Sequence, residues 1–217
     1  MKNKTDITII LDRSGSMASV KDDTIGGFNN FLSEQQKIEG EAVLSLVQFD
    51  DQYETVYLDK DIRSADKLTD ATFQPRGMTA LFDAVGRTII SVGQRFAALS
   101  EAERPDKILL VIMTDGFENS SREFNAAKVG EMIKHQRDVY NWQFMFIGAN
   151  QDAVLSAEAI NIPAAAALTY AANVEGTRAA YNMMAKKVGN YRISNNVQSL
   201  EIEESDREEQ RKAGAKD

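Results

Sequence analysis

The sequence predicts an α/β fold: a doubly wound, Rossmann-like and mostly parallel six-stranded sheet with helices on both faces. Three observations predict it. Apolar strand-like runs alternate with stretches whose apolar residues recur at helical spacing. Several of these runs are apolar almost throughout, which is typical of strands buried on both faces. A single hairpin interrupts the alternation, so we expect one antiparallel edge strand.

In the first half of the chain, the helical spacing is clearest at Ile25, Phe28 and Leu32, and Gly40 ends that helix. The turn Asp50-Asp51-Gln52 joins two strand-like runs, which therefore pair antiparallel. Its carboxylates also suggest a second cation site, but the turn explains them better. The predicted elements are a strand over 5–11, a helix over 24–38, strands over 42–49 and 53–58, a short helical turn over 64–68 and a helix over 79–99.

In the second half, Pro105 separates the long helix from a strongly apolar strand. Trp142, Phe144 and Phe146 alternate in the next strand, so some of them belong to the core. A helix then ends near Pro163. The predicted elements are a strand over 107–113, a helix over 123–138, a strand over 142–147, a helix after 150, a short edge strand over 167–170 and a helix over 174–188.

The chain has 217 residues, of which 43% are hydrophobic and 27% are charged, as in a globular protein. We expect one domain over 1–190. From about Tyr191 the composition becomes dense in charge and poor in large apolar residues. This predicts a charged tail over 191–217 that is flexible or forms a loose helix.

Charge and residue usage exclude several functions. A formal charge of −8 argues against nucleic acid or an anionic membrane as a partner. The chain has no cysteine and one histidine, His135, so Cys-type zinc sites and thiol nucleophiles are excluded and a Ser-His-Asp triad has little scope. No apolar run reaches the roughly 18 residues of a membrane helix, and the first is too short for a signal peptide. We therefore expect a cytoplasmic protein.

Hydroxyl and carboxylate side chains concentrate in three separated segments: Asp12-Arg13-Ser14-Gly15-Ser16, Gly77-Met78-Thr79-Ala80-Leu81 and Met113-Thr114-Asp115-Gly116. The first and third follow apolar strands directly, and the second opens the long helix. Loops at the carboxyl ends of parallel strands converge on one crevice, where oxygen side chains suit a hard cation such as Mg²⁺, with Mn²⁺ or Ca²⁺ as alternatives. The predicted metal ligands are Asp12, Ser14, Ser16, Thr79 and Asp115.

Placed in this order, the three segments resemble the von Willebrand factor type A domain and its metal-ion-dependent adhesion site, over about residues 5–190. The family motif is D-x-S-x-S after the first strand, a threonine in a later loop and an aspartate after the fourth strand. The resemblance implies that the serines and the threonine contact the metal, directly or depending on state, and that the aspartates act mainly through water. The family often has two glycines before the threonine. Here the second is Met78, whose side chain could narrow access to the metal or change the loop.

Three of these five residues, and several others nearby, also have a structural interpretation. Ser14 and Ser16 could cap a helix, and Asp115 could be a turn residue before Gly116. Glu118 and Asn119 could border the site, although a surface loop explains them better. Asn150 and Asp152 could influence partner choice, or cap the next helix.

The resemblance implies a non-catalytic, Mg²⁺-dependent module that binds an Asp or Glu of a partner protein. The alternative is a single-metal hydrolase acting on a phosphoester. Three absences argue against the hydrolase. The sequence lacks a G-x-x-x-x-G-K-[ST] loop, a G-x-G-x-x-G motif and a candidate base beside Ser14 or Ser16. A third possibility, a scaffold that holds no metal, is disfavoured by the complete set of five side chains.

The resemblance also suggests a biological setting. Short family members without a signal peptide occur in bacteria and their phages. They tend to work beside MoxR-type AAA+ ATPases, in chelatase-like complexes or in tellurite-resistance and stress operons. The resemblance therefore implies an adaptor of that type, without identifying its partner.

Overall fold

The computed structural model describes residues 4–149, 152–194 and 196–215. Its strands are β1 (Thr5–Asp12), β2 (Ala42–Phe49), β3 (Tyr53–Asp61), β4 (Lys107–Thr114), β5 (Gln143–Ala149) and β6 (Ala167–Tyr170). They form one sheet in the order β3-β2-β1-β4-β5-β6. All neighbours pair in parallel except β2 and β3, which pair antiparallel. The predicted fold class, including the antiparallel edge strand, is confirmed.

Helices within the described ranges cover both faces of the sheet. They are α1 (Lys21–Gln36), α2 (Leu81–Ala97), α3 (Ala126–Tyr140), α4 (Ala153–Glu158), α5 (Val174–Ile193) and α6 (Glu204–Lys212), with 3-10 turns at Gly15–Val20, Ile62–Ser64, Ala164–Ala166 and Val197–Leu200. None of these described helices is long and apolar enough to cross a membrane.

Two hydrophobic cores lie on opposite faces of the sheet. On one face, Phe28 of α1 and Tyr181 of α5 pack against β1 residues such as Ile9. On the other, α2, α3 and α4 pack over Ile10 and Leu110. Every residue of β1 is buried, because β1 lies in the middle of the sheet with helices on both sides. The carboxyl ends of β1 and β4 therefore have a rigid base.

Several element boundaries differ from the predictions. The long helix begins at Leu81 rather than at 79. Ala80 instead donates its backbone N–H to the Asp50 carbonyl at 2.9 Å, which holds Thr79 in a loop. The segment before α1 forms a 3-10 turn instead of an irregular loop. The predicted helical turn over 64–68 lies earlier, at Ile62–Ser64.

Composition predicted that the segment over 191–217 is flexible or forms a loose helix, and its described residues include the helix α6. α5 runs through the expected boundary to Ile193, and α6 packs beside it. The buried ammonium of Lys187 lies 3.0 Å from a carboxylate oxygen of Asp206. Gln210 is also buried: it accepts a hydrogen bond from the Ala171 N–H. A few buried polar contacts thus anchor a segment that has few large apolar residues.

Candidate metal site

Two neighbouring strands place acidic residues at the same edge of the sheet. β1 ends at Asp12, and β4 ends at Thr114, directly before Asp115. Because β1 and β4 pair in parallel, their carboxyl ends lie side by side. Both carboxylates are buried. The sheet therefore delivers the two predicted acidic residues to one crevice.

Three hydroxyl groups from two other segments converge around Gly116. A Cβ atom at Gly116 would lie 3.0 Å from Thr79 Oγ1, 3.4 Å from Ser16 Oγ and 3.7 Å from Ser14 Oγ. Any side chain at position 116 would therefore enter the space between these oxygens. All three predicted hydroxyl residues are brought together, although Thr79 is far from the serines in the sequence.

Hydrogen bonds connect the hydroxyl groups to one another and to an acidic residue. Ser14 Oγ and Ser16 Oγ are 3.0 Å apart, and Ser16 Oγ donates to Asp115 Oδ1 at 2.6 Å. Ser14 and Thr79 are buried, whereas Ser16 is exposed. The oxygen cluster therefore reaches solvent through Ser16.

Asp12 holds in place the loop after β1 that carries Ser14 and Ser16, which we call the serine loop. Its Oδ1 accepts from the Ser14 N–H at 2.6 Å, and its Oδ2 accepts from Thr114 Oγ1 at 2.6 Å. Burial raises the pKa of Asp12 to about 6, although the hydrogen bonds from Thr114 and Ser14 oppose that rise. Thr114 was not singled out by the sequence, because its role depends on the pairing of β1 with β4.

The negative charge of the site has no basic partner in the described part of the chain. Neither Asp12 nor Asp115 forms an ion pair there, and burial also raises the pKa of Asp115. Tyr170, buried at the end of β6, has its pKa raised well above the ordinary value by burial and by these two carboxylates. Buried carboxylates without a counter-charge are the arrangement that a bound cation would stabilise.

The serine geometry argues against helix capping. Ser14 occupies the N-cap position of the Gly15–Val20 turn, yet its side chain makes no capping hydrogen bond. Its hydroxyl lies against Ser16 instead. Asp115 likewise bonds Ser16, which is 99 positions away in sequence. These side chains are directed at one another rather than at a local helix terminus.

The loop that carries Thr79 is fixed by glycine and by backbone bonds. Gly77 has a φ of +66°, in the left-handed region that favours glycine, and a Cβ there would lie 2.1 Å from Asp51 Oδ1. The Gly77 carbonyl accepts from the Gly15 N–H at 3.2 Å, which ties this loop to the serine loop. Met78 is half exposed and does not displace the Thr79 hydroxyl from the cluster.

An ion-pair network beside the site was not predicted from the sequence. Asp50 is fully buried and accepts from Arg13 Nε at 3.1 Å and from Arg76 Nε at 2.9 Å. Arg13 also reaches Glu54 at 2.6 Å. The predicted turn at Asp50 is confirmed, but its carboxylate also joins the serine loop to the loop before α2. The signal available in the sequence was a charged residue, Arg13, shortly after a strand that was predicted to be apolar and buried.

Other acidic and amide residues that could have bordered the site have structural roles. Glu118 accepts from the Phe82 N–H at 2.9 Å, and Asn119 Oδ1 accepts from the Thr79 N–H at 2.9 Å. They brace the loops beside the site, a role that the sequence did not predict. Asp152 caps α4 by accepting from the Leu155 N–H at 3.0 Å. Asn150 lies outside the described residues.

The side chains present fit a divalent hard cation. Three hydroxyl oxygens face one small space, and two buried carboxylates lie beside them. All are oxygen donors, which Mg²⁺, Mn²⁺ and Ca²⁺ prefer. Within the described ranges, no three or more His, Cys, Asp or Glu side chains cluster so that they could hold a metal. A site at this position would therefore depend on its hydroxyl groups.

Comparison with known proteins agrees with this geometry. Residues 6–175 match the family model of the von Willebrand factor type A domain. None of the curated proteins matches the chain.

Solved structures share the fold. Proximal thread matrix protein 1 from the mussel byssus, solved with a zinc-occupied MIDAS motif, is 13% identical, with a TM-score of 0.60 over 86% of this chain and 46% of that chain. The pilus adhesin SpaC from Lactobacillus rhamnosus GG is 14% identical, with a TM-score of 0.64 over 88% of this chain and 30% of that chain. A von Willebrand factor type A protein from Catenulispora acidiphila is 20% identical, with a TM-score of 0.58 over 87% and 43%. The chain thus spans less than half the length of these proteins.

Proposed function

The chain belongs to the von Willebrand factor type A domain family, and on that premise we propose that it is a non-catalytic, metal-dependent module that binds an acidic side chain of a protein partner. The observation that carries the proposal is the convergence of Ser14, Ser16 and Thr79 around Gly116, beside two buried carboxylates. The metal we propose is Mg²⁺, with Mn²⁺ or Ca²⁺ as alternatives.

Ser14, Ser16 and Thr79 would hold the cation with neutral oxygens, and Asp12 and Asp115 would orient the surrounding shell. A cation held mainly by neutral ligands keeps positive charge, so it would supply a coordination position for a partner's carboxylate. The residues around it keep the oxygens in place. Asp12 fixes the Ser14 backbone, and Asn119 fixes the Thr79 backbone.

Binding is favoured over catalysis by the surroundings of the site. The chain's single histidine, His135, lines a separate cavity with Trp142 and Tyr140 at the end of α3. Glu118, an acidic residue near the cluster, is occupied by hydrogen bonds from the Ser120 and Ser121 N–H groups. Asp115 accepts from Ser16 Oγ at 2.6 Å, and its proposed role is to orient the shell of the metal. Neither His135 nor Glu118 is therefore poised to activate a water molecule at the site.

The metal site can be tested by blocking it with a side chain at position 116. Gly116→Ala would place a methyl group among the three hydroxyls, so we expect it to abolish stabilisation by Mg²⁺. In the unsubstituted chain, saturation at 100 Kd adds about 2.7 kcal/mol to the free energy of unfolding. The measurement is thermal unfolding with Mg²⁺, Mn²⁺, Ca²⁺ or EDTA. The matched control is Gly93→Ala, since a Cβ at Gly93 meets nothing within 4 Å and the metal response should persist.

Partner binding is tested by capture from a lysate of the source cells in Mg²⁺ or in EDTA. We expect a partner to be retained only with Mg²⁺, and only by the unsubstituted chain, not by an Asp12→Ala/Ser14→Ala variant. Capture that ignores both the metal and the substitutions would contradict the proposal. Metal-dependent turnover of generic phosphoesters, lost in the same variant, would favour the hydrolase instead.

The biological setting that we propose is an adaptor for a MoxR-type AAA+ ATPase or for a stress or tellurite-resistance complex, in a bacterial or phage-encoded cytoplasmic protein. The support is the family resemblance and the acidic composition. Identification of the captured protein by mass spectrometry tests this part separately from the metal site.

A further inference from the structure

Two large apolar side chains are exposed on the two backbone segments that meet at the hydroxyl cluster. Met78 is 50% exposed and Phe117 is 64% exposed. Met78 directly precedes Thr79, and Phe117 directly follows Gly116. Because a Cβ at Gly116 would lie 3.0 Å from Thr79 Oγ1, the two backbone segments that carry these apolar side chains meet at the cluster.

The loops that present them are braced. The Thr79 N–H donates to Asn119 Oδ1 at 2.9 Å, and the Asn119 N–H donates to the Thr79 carbonyl at 3.0 Å. Next to Phe117, the Glu118 carboxylate accepts from the Phe82 N–H at 2.9 Å. Met78 and Phe117 therefore project from segments that are hydrogen-bonded to one another and to α2. They face solvent although the backbone beside them is held in place.

Exposed apolar side chains beside a polar binding site mark a place where a partner packs, and Met and aromatic residues are enriched in such interfaces. The charge of the site limits the occupant further. If the proposed function holds, the central group of the partner must be anionic. Arg76 on the Thr79 loop is paired with Asp50 at 2.9 Å, so the requirement for an anion comes from the metal itself.

Resting on the proposed function, we infer that the partner presents its Asp or Glu between large apolar residues. The acidic side chain occupies the metal site, and the apolar neighbours pack on Met78 and Phe117. An acidic residue in a polar, fully solvated loop would bury neither apolar side chain. Such a partner would therefore bind less tightly. Met78 adds exposed apolar area on the loop that carries Thr79.

Defined peptides test this inference. Three fluorescein-labelled heptapeptides share glycine ends and differ at the centre: Leu-Asp-Phe, Ser-Asp-Ser and Leu-Asn-Phe. Fluorescence anisotropy is measured with Mg²⁺ and with EDTA, up to millimolar protein. We expect Leu-Asp-Phe to bind at least about tenfold more tightly than Ser-Asp-Ser, Leu-Asn-Phe to bind no better than in EDTA, and all metal-dependent binding to vanish in EDTA.

Variants separate the surface from the metal site. In Met78→Ser/Phe117→Ser, the preference for apolar neighbours should fall to less than about twofold, while thermal stabilisation by Mg²⁺ remains. The control is Ile90→Ser on α2, where a similarly exposed apolar residue (43%) lies outside these loops and should leave the preference intact.

Equal binding of the two aspartate peptides, or no binding of either while Mg²⁺ still stabilises the chain, would overturn the inference and leave the metal site standing. A preference that survives the double substitution would also overturn it. If Mg²⁺ does not stabilise the chain at all, the proposed function fails first and the inference fails with it.

Discussion

Strand β1 carries a buried aspartate at each end, and the two have opposite surroundings. At the amino end, Asp6 is 1% exposed and receives both arms of the Arg95 guanidinium, at 2.7 and 3.0 Å. At the carboxyl end, Asp12 is fully buried and is bonded by the neutral Ser14 N–H and Thr114 hydroxyl. Burial raises the pKa of both, but only Asp6 has a cation that opposes the rise.

Burial and a raised pKa alone therefore do not identify a functional residue. Asp6 belongs to a completed structural ion pair, in which Arg95 also bonds the exposed Asp59 at 2.9 Å. Asp12 lacks such a partner among the described residues and lies beside three convergent hydroxyls. The missing counter-charge, rather than the depth of burial, distinguishes the candidate site from the structural pair.

The largest expected effect comes from removing the counter-charge of the structural pair. Arg95→Met leaves Asp6 buried without its partner, so the free energy of unfolding should fall by about 3–5 kcal/mol. Urea denaturation measures it. The matched control is Arg87→Met, which breaks a half-exposed pair with Glu123 and should cost less than about 1 kcal/mol. Equal losses in the two variants would show that Asp6 does not depend on Arg95.

The second prediction concerns the unpaired aspartate in EDTA. The folded chain holds the Asp12 proton more tightly, with a pKa of about 6 against an ordinary 3.8. The stability that protonated Asp12 contributes is therefore complete below pH 4 and is lost as the pH rises through 6. The loss amounts to about 3 kcal/mol. Asp12→Asn should remove this part of the pH dependence, and urea titrations from pH 4 to pH 7 compare the two. Parallel curves would contradict the raised pKa.

The third prediction compares how Mg²⁺ stabilises variants at the two ends of β1. Mg²⁺ at 100 Kd should stabilise the unsubstituted chain by about 2.7 kcal/mol. Asp6→Asn should keep that increment even though its own stability changes, whereas Asp12→Asn should lose it. Thermal unfolding with Mg²⁺ and with EDTA measures both. An undiminished response in Asp12→Asn would place the bound cation elsewhere.

The smallest effect is expected at Asp50, a buried aspartate that has two arginines. Arg76→Ala removes the half-exposed one and leaves the Arg13 bond at 3.1 Å, so the cost should be about 1 kcal/mol or less. The Mg²⁺ increment should be unchanged. A large loss of stability or of metal response would show that Arg76 positions the Thr79 loop.

Much of the fold was predictable because its signals are local. The apolar runs identified the central strands, and β2 and β6 were predicted with the bounds that the structure shows. The turn at Asp50 correctly indicated the antiparallel pair. Helix ends were less predictable, since Thr79 and Ala80 are held out of α2 by bonds to residues distant in sequence.

The charged segment after 190 shows what composition leaves undecided. Its few apolar residues include Leu200 and Ile202, which are both buried. Its anchoring also depends on Gln210 and on the pairing of Asp206 with Lys187. Polar side chains contribute to packing only when a partner is positioned for them, and no pattern within the segment reveals that partner.

For the candidate site, the sequence by itself determined which residue types follow which strands: Asp12, Ser14 and Ser16 after β1, Thr79 before α2, and Asp115 after β4. These assignments need only strand periodicity and the rule that parallel strands share a carboxyl edge. Tertiary structure alone decided that the three hydroxyls meet at Gly116, that Thr114 orients Asp12, and that Arg13 pairs with Asp50 rather than with the site. The physical reason is that distances between loops depend on how the strands pair and on which side chains bond across them. The charge balance that makes the crevice suitable for a cation is therefore a property of the folded chain.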